Sequence, residues 1–551
     1  MKIKICAVNS KFIHSNLAVH SLACYCRQLC KQIDIEVCEF TINDIYKNVL
    51  FSILSGEPKI IAFSVYIWNI DFISKLCGDI KKISPETIII LGGPEVSFDN
   101  ANIRDLCNYI IIGEGERAFF CLVSELCRHD ISNYKENFGY KKDGKLISCV
   151  PIENLSEIPF VYAHTDMNVF NDRIIYYESS RGCPFSCSYC LSSRHGNVRY
   201  LPLERVYSDI DFFSQQEHVR QVKFVDRTFN SDKDRAYAIF EHIISNADTT
   251  KEKNFHFEIC ADLLDEQTIN LLSNAQSGLL QFEIGIQTTN EKSLKMCARK
   301  TDIEKCFENI RLLMKSGNIN IHVDLIAGLP EDTLEDFKIA FNQVYGLKAH
   351  QFQLGFLKLL KGAPLNNQIE QYGYKFSKNA PYEILSNSNM AHKDLAILHG
   401  VEIALDKLYN SGKFIASLDY CCTFFDSPYD FYLHLSDYML KINVLHRALS
   451  LEKLYNILID FANVHKAYAA ADINIQYLKE LLLLDYHSGD TRDNPPQTLR
   501  DIWQPYKKYK EIIPSIKSAD LTVREIGNKY YFFDYNKKNS VTNRYDYKLR
   551  S

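Results

Sequence analysis

Three observations predict an α/β architecture built from separate parts for this chain of 551 residues. Short apolar runs alternate with segments of helical period twice over, first across residues 1–150 and again across 165–375. Beyond residue 376 the apolar residues recur at helical spacing alone. The expected organisation is an N-terminal doubly wound parallel sheet of Rossmann-like form (1–150), a linker (151–164), a partial (β/α)6 barrel (165–375), and a mainly helical C-terminal region with a terminal β hairpin (376–551).

In the first region the runs Ile3–Val8, Ile33–Phe40, Ile60–Val65, Thr87–Leu91 and Tyr109–Ile112 alternate with the helical patterns Leu17–Lys31 and Phe72–Ile83. Ligands of such sheets bind beyond the carboxyl ends of the strands. Those ends carry Asn9-Ser10, Ser64-Val65-Tyr66, Gly92-Gly93-Pro94-Glu95 and Gly113-Glu114-Gly115-Glu116. Glycines let a ligand approach the backbone, although Gly92-Gly93 by itself is equally a tight turn. An Asp-Gly pair inside Lys141–Lys145 predicts a small hairpin, and the prolines of Pro151–Pro159 an extended linker.

The second region places strands at Ile174–Glu178, Val222–Val225, Phe255–Ile259, Leu280–Gly285, Ile319–Leu325 and Phe352–Leu357. In α/β barrels the chemistry sits at the carboxyl ends of the strands. The first of these strands runs into Cys183, Cys187 and Cys190, a C-x3-C-x2-C array. Thiolates suit iron, [4Fe-4S] clusters usually take four of them, and three would leave one iron with an open position. A structural zinc site and three reduced core cysteines are the alternatives. Zinc prefers four ligands, and His195, five residues beyond Cys190, is not at a usual spacing.

Composition bounds the remainder. With 46% hydrophobic and 24% charged residues the chain has the makeup of ordinary globular domains. A formal net charge of -5 gives no global pull toward nucleic acid or membrane. The start Met-Lys-Ile-Lys-Ile-Cys lacks the apolar run of a signal peptide, and no stretch approaches ~18 uninterrupted apolar residues, so a cytoplasmic protein is expected. In that setting the 18 cysteines read as reduced thiols plus a metal site, with Cys24, Cys77, Cys107 and Cys121 in the core. Cys421-Cys422 lacks the further cysteines a second cluster would need. Residues 501–551 carry 11 Lys or Arg against 6 Asp or Glu, with ten aromatics. Such a mixture can grip single-stranded RNA, but aromatics spaced along Leu521–Asp534 also fit a half-buried sheet around a Gly-Asn turn.

The cysteine spacing, with Tyr189 just before the last cysteine, resembles the signature of the radical S-adenosylmethionine (radical SAM) enzymes. Further matches follow in the same order: Val225-Asp226 to Phe229 after the second strand, Glu283-x-Gly285-x-Gln287, Lys295 to Arg299 opening the next helix, Asp324-x3-Gly328-x-Pro330, and Lys361-Gly-Ala-Pro364. The strand-end loops of residues 1–150 resemble the cobalamin-binding domain that precedes the barrel in one large class of these enzymes. The C-terminal region resembles an extension of unknown role found in a subgroup of them.

The resemblance implies three cofactors: a [4Fe-4S] cluster on Cys183, Cys187 and Cys190, S-adenosylmethionine on the fourth iron, and cobalamin held by the strand-end loops named above. S-adenosylmethionine needs an acidic partner for its amino or hydroxyl groups and a basic one for its carboxylate. Glu283, Gln287 and Arg299 are the candidates, with Asp226 and Phe229 near the cluster and adenine, and Asp324 beside them. Glu283 or Arg299 could equally be half of a structural ion pair, and Asp324 could cap the helix expected from Pro330-Glu331. One departure concerns the cobalt. Domains with a histidine lower ligand carry Asp-x-His-x-x-Gly, whereas this chain has Phe12-Ile13-His14-Ser15-Asn16-Leu17. His14 is therefore read as a ligand or as a loop histidine.

The implied chemistry is reductive cleavage to a 5′-deoxyadenosyl radical, hydrogen abstraction from an unactivated carbon, and methyl delivery from methylcobalamin. Ring formation or rearrangement without methyl transfer is the rival within enzymes, and an iron–sulfur binding or sensing protein the rival outside them. The expected partners are an external electron donor such as flavodoxin or ferredoxin, and a substrate that is a small molecule or peptide rather than RNA. No membrane partner is expected.

Overall fold

A computed structural model describes residues 1–98, 101–195, 197–248, 250–469, 473–492, 494–503, 521–526 and 529–550. The chain divides into two compact units, one of residues 1–259, 297–299 and 358–384, the other of residues 260–296, 300–357 and 385–551.

The first unit opens with β1 (Lys2–Asn9), β2 (Asp34–Thr41), β3 (Ile60–Ser64), β4 (Ile88–Gly92), β5 (Tyr109–Ile111), β6 (Lys141–Asp143) and β7 (Leu146–Ser148). They form a seven-stranded sheet of order β2-β1-β3-β4-β5-β7-β6, parallel apart from the terminal β6–β7 hairpin. The strands are parallel because helices such as Leu17–Leu29, Ile70–Ile83 and Gly115–Leu126 return the chain between them. β3 is buried at every position, as covering on both faces requires. The order reverses between β1 and β3, so a crevice lies beyond their carboxyl ends, at Asn9 and Ser64.

Next come β8 (Ile175–Tyr177), the short antiparallel pair β9 (Ser180–Arg181) and β10 (Arg199–Tyr200), then β11 (Gln221–Phe224), β12 (Asn254–Ile259), β13 (Leu280–Gln287), β14 (Asn320–Ala327) and β15 (Gln351–Phe356). A six-stranded parallel sheet has the order β15-β14-β13-β12-β11-β8. In β13 the apolar Leu280, Phe282, Ile284 and Ile286 are buried while Gln281, Glu283, Gly285 and Gln287 are half-buried; β14 alternates in the same way. Register sets Glu283 opposite His322 and Gly285 opposite Asp324. One face is thus apolar and the other carries hydrogen-bonding groups.

The C-terminal region holds the helices His392–Leu408, Ile415–Cys422, Pro428–Lys441, Leu451–Ala469 and Ile475–Gly489. The helical region expected beyond residue 376 has its first helix only at His392, and Ile384–Ser386 ahead of it is a short strand. The terminal sheet has three antiparallel strands, Leu521–Ile526, Lys529–Lys538 and Tyr545–Arg550, where the sequence predicts two. Its Gly527-Asn528 turn and the basic run 504–520 lie outside the described residues. Buried Asp485 ties this region together: it accepts from the Ser417 amide at 2.9 Å, the Ser417 hydroxyl at 2.8 Å and the Arg544 guanidinium at 2.9 Å.

Candidate functional site

Residues 183–190 form a loop after β9, and its backbone is tied down in its second half. The Cys190 amide donates to the Cys187 carbonyl at 3.1 Å, the Ser188 amide to the Cys297 carbonyl at 2.9 Å, and the Leu365 amide to the Ser188 carbonyl at 2.8 Å. Cys183 and Cys187 are buried and Cys190 is half-buried, all three as free thiols. The Cys183 sulfur lies 3.5 Å from the Thr228 hydroxyl. Arg299 directs Nη1 to the Tyr189 hydroxyl at 3.4 Å and toward the Cys187 sulfur at 3.9 Å. Burial pushes the Cys187 thiol up from its ordinary range, and the Arg299 guanidinium opposes that shift. Three soft donors within eight residues, beside a cation that offsets thiolate charge, fit an iron–sulfur cluster. Arg299 does not open a helix as the sequence predicts; it lies in the loop between the helices Glu291–Met296 and Ile303–Ser316, which lets it reach the cysteine loop.

Asp226 and Phe229 are held by partners within the protein. The Asp226 carboxylate, 1% exposed, accepts from the Ser179 amide at 3.0 Å and from the Ser179 and Ser180 hydroxyls. It braces the turn leading into the cysteine loop. Burial pushes its carboxyl up to about 6 against those hydrogen bonds. Phe229 is buried among Phe224, Phe240 and Phe257 as part of an aromatic core.

In the second unit Glu283, His322 and Asp324 share the polar strand face, and one ligand atom from each lies within 4.8 Å of the others. Such a trio can hold a cation or the polar groups of a cosubstrate. His322 Nε2 lies 3.0 Å from Asp324 Oδ1. Asp324 caps no helix: the following helix, Leu334–Tyr345, is capped by Thr333 in a capping box with Asp336. Gln287 sits at a bulge between Gly285 and Gln287 with φ 72°, and its buried side-chain oxygen has no hydrogen-bond partner among the described residues. A strained bulge presenting an orphan carbonyl is a ligand-facing feature.

Of the sequence-predicted strand-end residues, Asn9, Ser10, Tyr66 and Glu116 line a cavity of about 650 Å³ in the first unit. Ser10, His14, Tyr66 and Trp68 line it from the seven-stranded sheet, Tyr176 and Lys223 from β8 and β11. Tyr66 and Trp68 stack with ring centroids 4.4 Å apart, and Trp68 is anchored by its indole N–H to the Val8 carbonyl at 3.2 Å. Ser64 accepts from the Asn16 side chain at 3.3 Å. Gly93 has φ 117°, and a Cβ there would sit 2.5 Å from the Val65 carbonyl, so the loop Gly92-Gly93-Pro94 needs glycine to pass the end of β3. At Gly113 no atom lies within 4 Å of where a Cβ would be, leaving backbone open to a ligand, and Gly115 begins the helix that follows. This lining, aromatic rings and hydroxyls with charged Glu116, Arg181 and Lys223 among them, offers stacking surface and hydrogen-bonding groups to a large amide-fringed cofactor such as cobalamin.

The carboxylates of these loops are engaged within the protein. Glu95 pairs with Lys361 at 3.1 Å and accepts from the Tyr382 hydroxyl. Glu114 pairs with Arg199 and Arg181, and Glu116 with Arg181. Burial raises the Glu114 carboxyl, but the two guanidiniums hold it below its ordinary range. His14 Nδ1 lies 2.7 Å from the Tyr176 hydroxyl, and burial lowers the imidazole's proton affinity. Tyr176, Lys223, His322 and Arg181 were not singled out from sequence; the alternation Asn320-Ile-His322-Val-Asp324 is the one pattern that could have marked His322.

Fold and site together define a radical SAM protein with a cobalamin domain ahead of the barrel. Residues 3–122 match the B12 binding domain, residues 177–344 the radical SAM superfamily, and residues 370–542 a protein family of unknown function, DUF4080. The chain belongs to the cobalamin-dependent radical SAM family and carries the DUF4080 region at its C-terminal end. The radical SAM domain implies a [4Fe-4S] cluster and S-adenosylmethionine, and the B12 domain implies cobalamin. Among curated relatives it is similar to the cobalamin-dependent radical SAM methyltransferase TokK of Streptomyces tokunonensis, 24% identical over 346 residues that are 58% of this chain and 50% of that protein. It is also similar to the anaerobic magnesium-protoporphyrin IX monomethyl ester cyclase of Rubrivivax gelatinosus, 24% identical over 271 residues, 46% of this chain and 48% of that one. The chain thus spans about half the length of these relatives. A solved structure of the cobalamin-dependent S-adenosylmethionine radical enzyme OxsB shares its fold, with a TM-score of 0.60 at 14% identity over 94% of this chain and 84% of that one. No helix among the described residues is long and apolar enough to cross a membrane.

Proposed function

We propose that this enzyme transfers a methyl group to an unactivated carbon of a small molecule or peptide. The observation that carries the reading is the pairing, inside one unit, of the Arg299-backed cysteine loop with a cavity at the switch point of a B12 domain sheet. When bound, the cluster, S-adenosylmethionine and cobalamin supply one-electron cleavage, hydrogen abstraction and a transferable methyl group. The protein's part is to hold and orient. Cys183, Cys187 and Cys190 would ligate the cluster, and Arg299 would offset its charge. Glu283 and Gln287 would take polar groups of S-adenosylmethionine, and the Tyr66–Trp68 stack would give cobalamin an apolar floor from which water is excluded. An external low-potential donor such as flavodoxin or ferredoxin would deliver the electron.

Reduced, reconstituted enzyme incubated with fractionated cell extract should form 5′-deoxyadenosine and S-adenosylhomocysteine at about one to one, since one S-adenosylmethionine is consumed for each role. The similarity to a cyclase supports a second reading, ring formation or rearrangement. Substrate-dependent 5′-deoxyadenosine without S-adenosylhomocysteine would establish that reading and end the first.

A further inference from the structure

We infer that Arg181 is a positioning residue through which occupancy of the B12 binding domain is felt at the cysteine loop. Arg181 is the hub of an ionic network inside the first unit. Its Nη2 lies 2.8 Å from Glu116 and 2.7 Å from Glu178, its Nε donates to Glu178 at 3.0 Å, and its Nη1 lies 3.2 Å from Glu114. Arg199 closes the network against the far side of Glu114. None of the five side chains is more than 25% exposed, so the charges are weakly screened and the loss of one partner strands another.

The members come from separate elements. Glu114 and Glu116 flank the start of the helix Gly115–Leu126, Glu178 follows β8, and Arg181 and Arg199 are register partners in β9 and β10. Cys183 follows Arg181 by two residues through Gly182, which has φ 117° and whose Cβ would sit 2.5 Å from the Asn197 carbonyl. That join has no room to absorb a shift. A ligand that moves the Glu114-Gly115-Glu116 loop must therefore move the guanidinium or break its bonds, and either is passed to the first cysteine. Linkage is reciprocal, so a filled cysteine loop changes affinity at the B12 domain by the same factor. The inference rests on the cofactors that the family implies and is independent of whether methyl transfer is the outcome.

The test is a titration of the full chain with hydroxocobalamin under anaerobic conditions, once with the cluster reconstituted and once with iron removed. The ratio of the two Kd values is the readout. A merely structural role would weaken both forms alike and leave the ratio unchanged. We expect a threefold to tenfold ratio in the native sequence, falling to about one in Arg181→Lys and Glu116→Gln while both variants keep four irons. A native ratio of one, or variants that retain the native ratio, would overturn the coupling. If the Arg181 variant does not hold iron, Glu116→Gln decides alone, because it leaves Arg181 its bonds to Glu178 and Glu114. Absence of hydroxocobalamin binding in both forms would overturn the coupling together with the cofactor assignment, whereas binding with a ratio of one overturns the coupling only.

Discussion

The N-terminal sheet and strands β13–β14 are both parallel, yet they carry polar residues in opposite ways. In β3, and at Ile89, Ile90 and Leu91 of β4, the side chains are buried, and the groups capable of chemistry sit past the strand ends at Ser10, Tyr66 and Gly93. In β13 and β14 every second residue is half-buried and all of these but Gly285 and Ile326 are polar, so Glu283, His322 and Asp324 stand along the strands themselves. Helices on both faces leave the middles of β3 and β4 to apolar side chains. The second keeps one face free of that constraint, and that face is the candidate binding wall. The candidate site residues lie at strand ends in one region and along a strand face in the other.

The largest expected effect falls in neither sheet but in the loop after β9. Replacing Cys183, Cys187 and Cys190 by alanine should reduce bound iron from about four per chain to none and abolish S-adenosylmethionine cleavage, because these three thiols are the candidate cluster ligands. Iron analysis and product chromatography check this; four irons in the variant would mean that other ligands hold the cluster.

The comparison itself is tested by two substitutions of opposite character. Ile90, 1% exposed in β4, should cost about 2–5 kcal/mol of stability when changed to Ala. Glu283→Gln on the polar face should cost under ~1 kcal/mol yet lower cosubstrate cleavage on the order of 100-fold, since it removes a charge-assisted contact. Denaturant titration and product quantification separate the two. A stability loss in Glu283→Gln as large as that of Ile90→Ala would make the wall an ordinary structural face.

How much of this was legible follows from range. Three cysteines within eight residues, and strands separated by helices of regular length, are local patterns, so the domain order and the cysteine loop could be read directly. Alternation along β14 is also local, but a histidine between apolar residues fits a core position as well as a ligand, so His322 does not stand out. The partners of the loop carboxylates could not be read, since Arg181 meets Glu116 across 65 positions and Tyr382 meets Glu95 across 287. A Glu on a strand-end loop looks the same in sequence whether it faces a cofactor or a distant arginine. The same holds for Asp226, whose serine partners belong to another strand end.

Two buried aspartates give a pH signature that distinguishes a satisfied carboxylate from an unsatisfied one. Asp226, with its serine donors, is pushed up to about 6, while Asp332, whose Oδ2 has no hydrogen-bond partner among the described residues, is pushed up to about 7. In both cases burial favours the protonated form. Stability from a raised acid is fully present below its unfolded pKa near 4 and is lost as pH rises through the folded value. For Asp332 that loss between pH 4 and 7 amounts to as much as about 4 kcal/mol at ~1.4 kcal/mol per unit. Asp332→Asn should flatten the pH profile over that window and raise stability at pH 7.5 relative to the native chain. Urea midpoints measured from pH 4 to 8 check this, and an unchanged profile would show that Asp332 is solvated in solution.

The smallest expected effect is a null one, and it concerns the strand ends. His14 lies in the loop after β1 and lines the cavity, the position a lower cobalt ligand would need. That loop is pinned: the Ile174 amide donates to the Ile13 carbonyl at 2.8 Å, and the Ser15 hydroxyl donates to the Ile174 carbonyl at 2.8 Å. The imidazole is held in turn by Tyr176, which engages Nδ1 at 2.7 Å, so Nε2 is the nitrogen left to ligate cobalt and the pinned backbone resists bringing it there. The Asp-x-His-x-x-Gly pattern that would orient such a ligand is absent as well. Bound cobalamin in its Co(II) form should therefore show no nitrogen superhyperfine splitting in electron paramagnetic resonance, and His14→Ala should leave the spectrum unchanged. Splitting that disappears in His14→Ala would make His14 the lower ligand and would move direct metal chemistry to the strand ends, where the sheet otherwise supplies only neighbours.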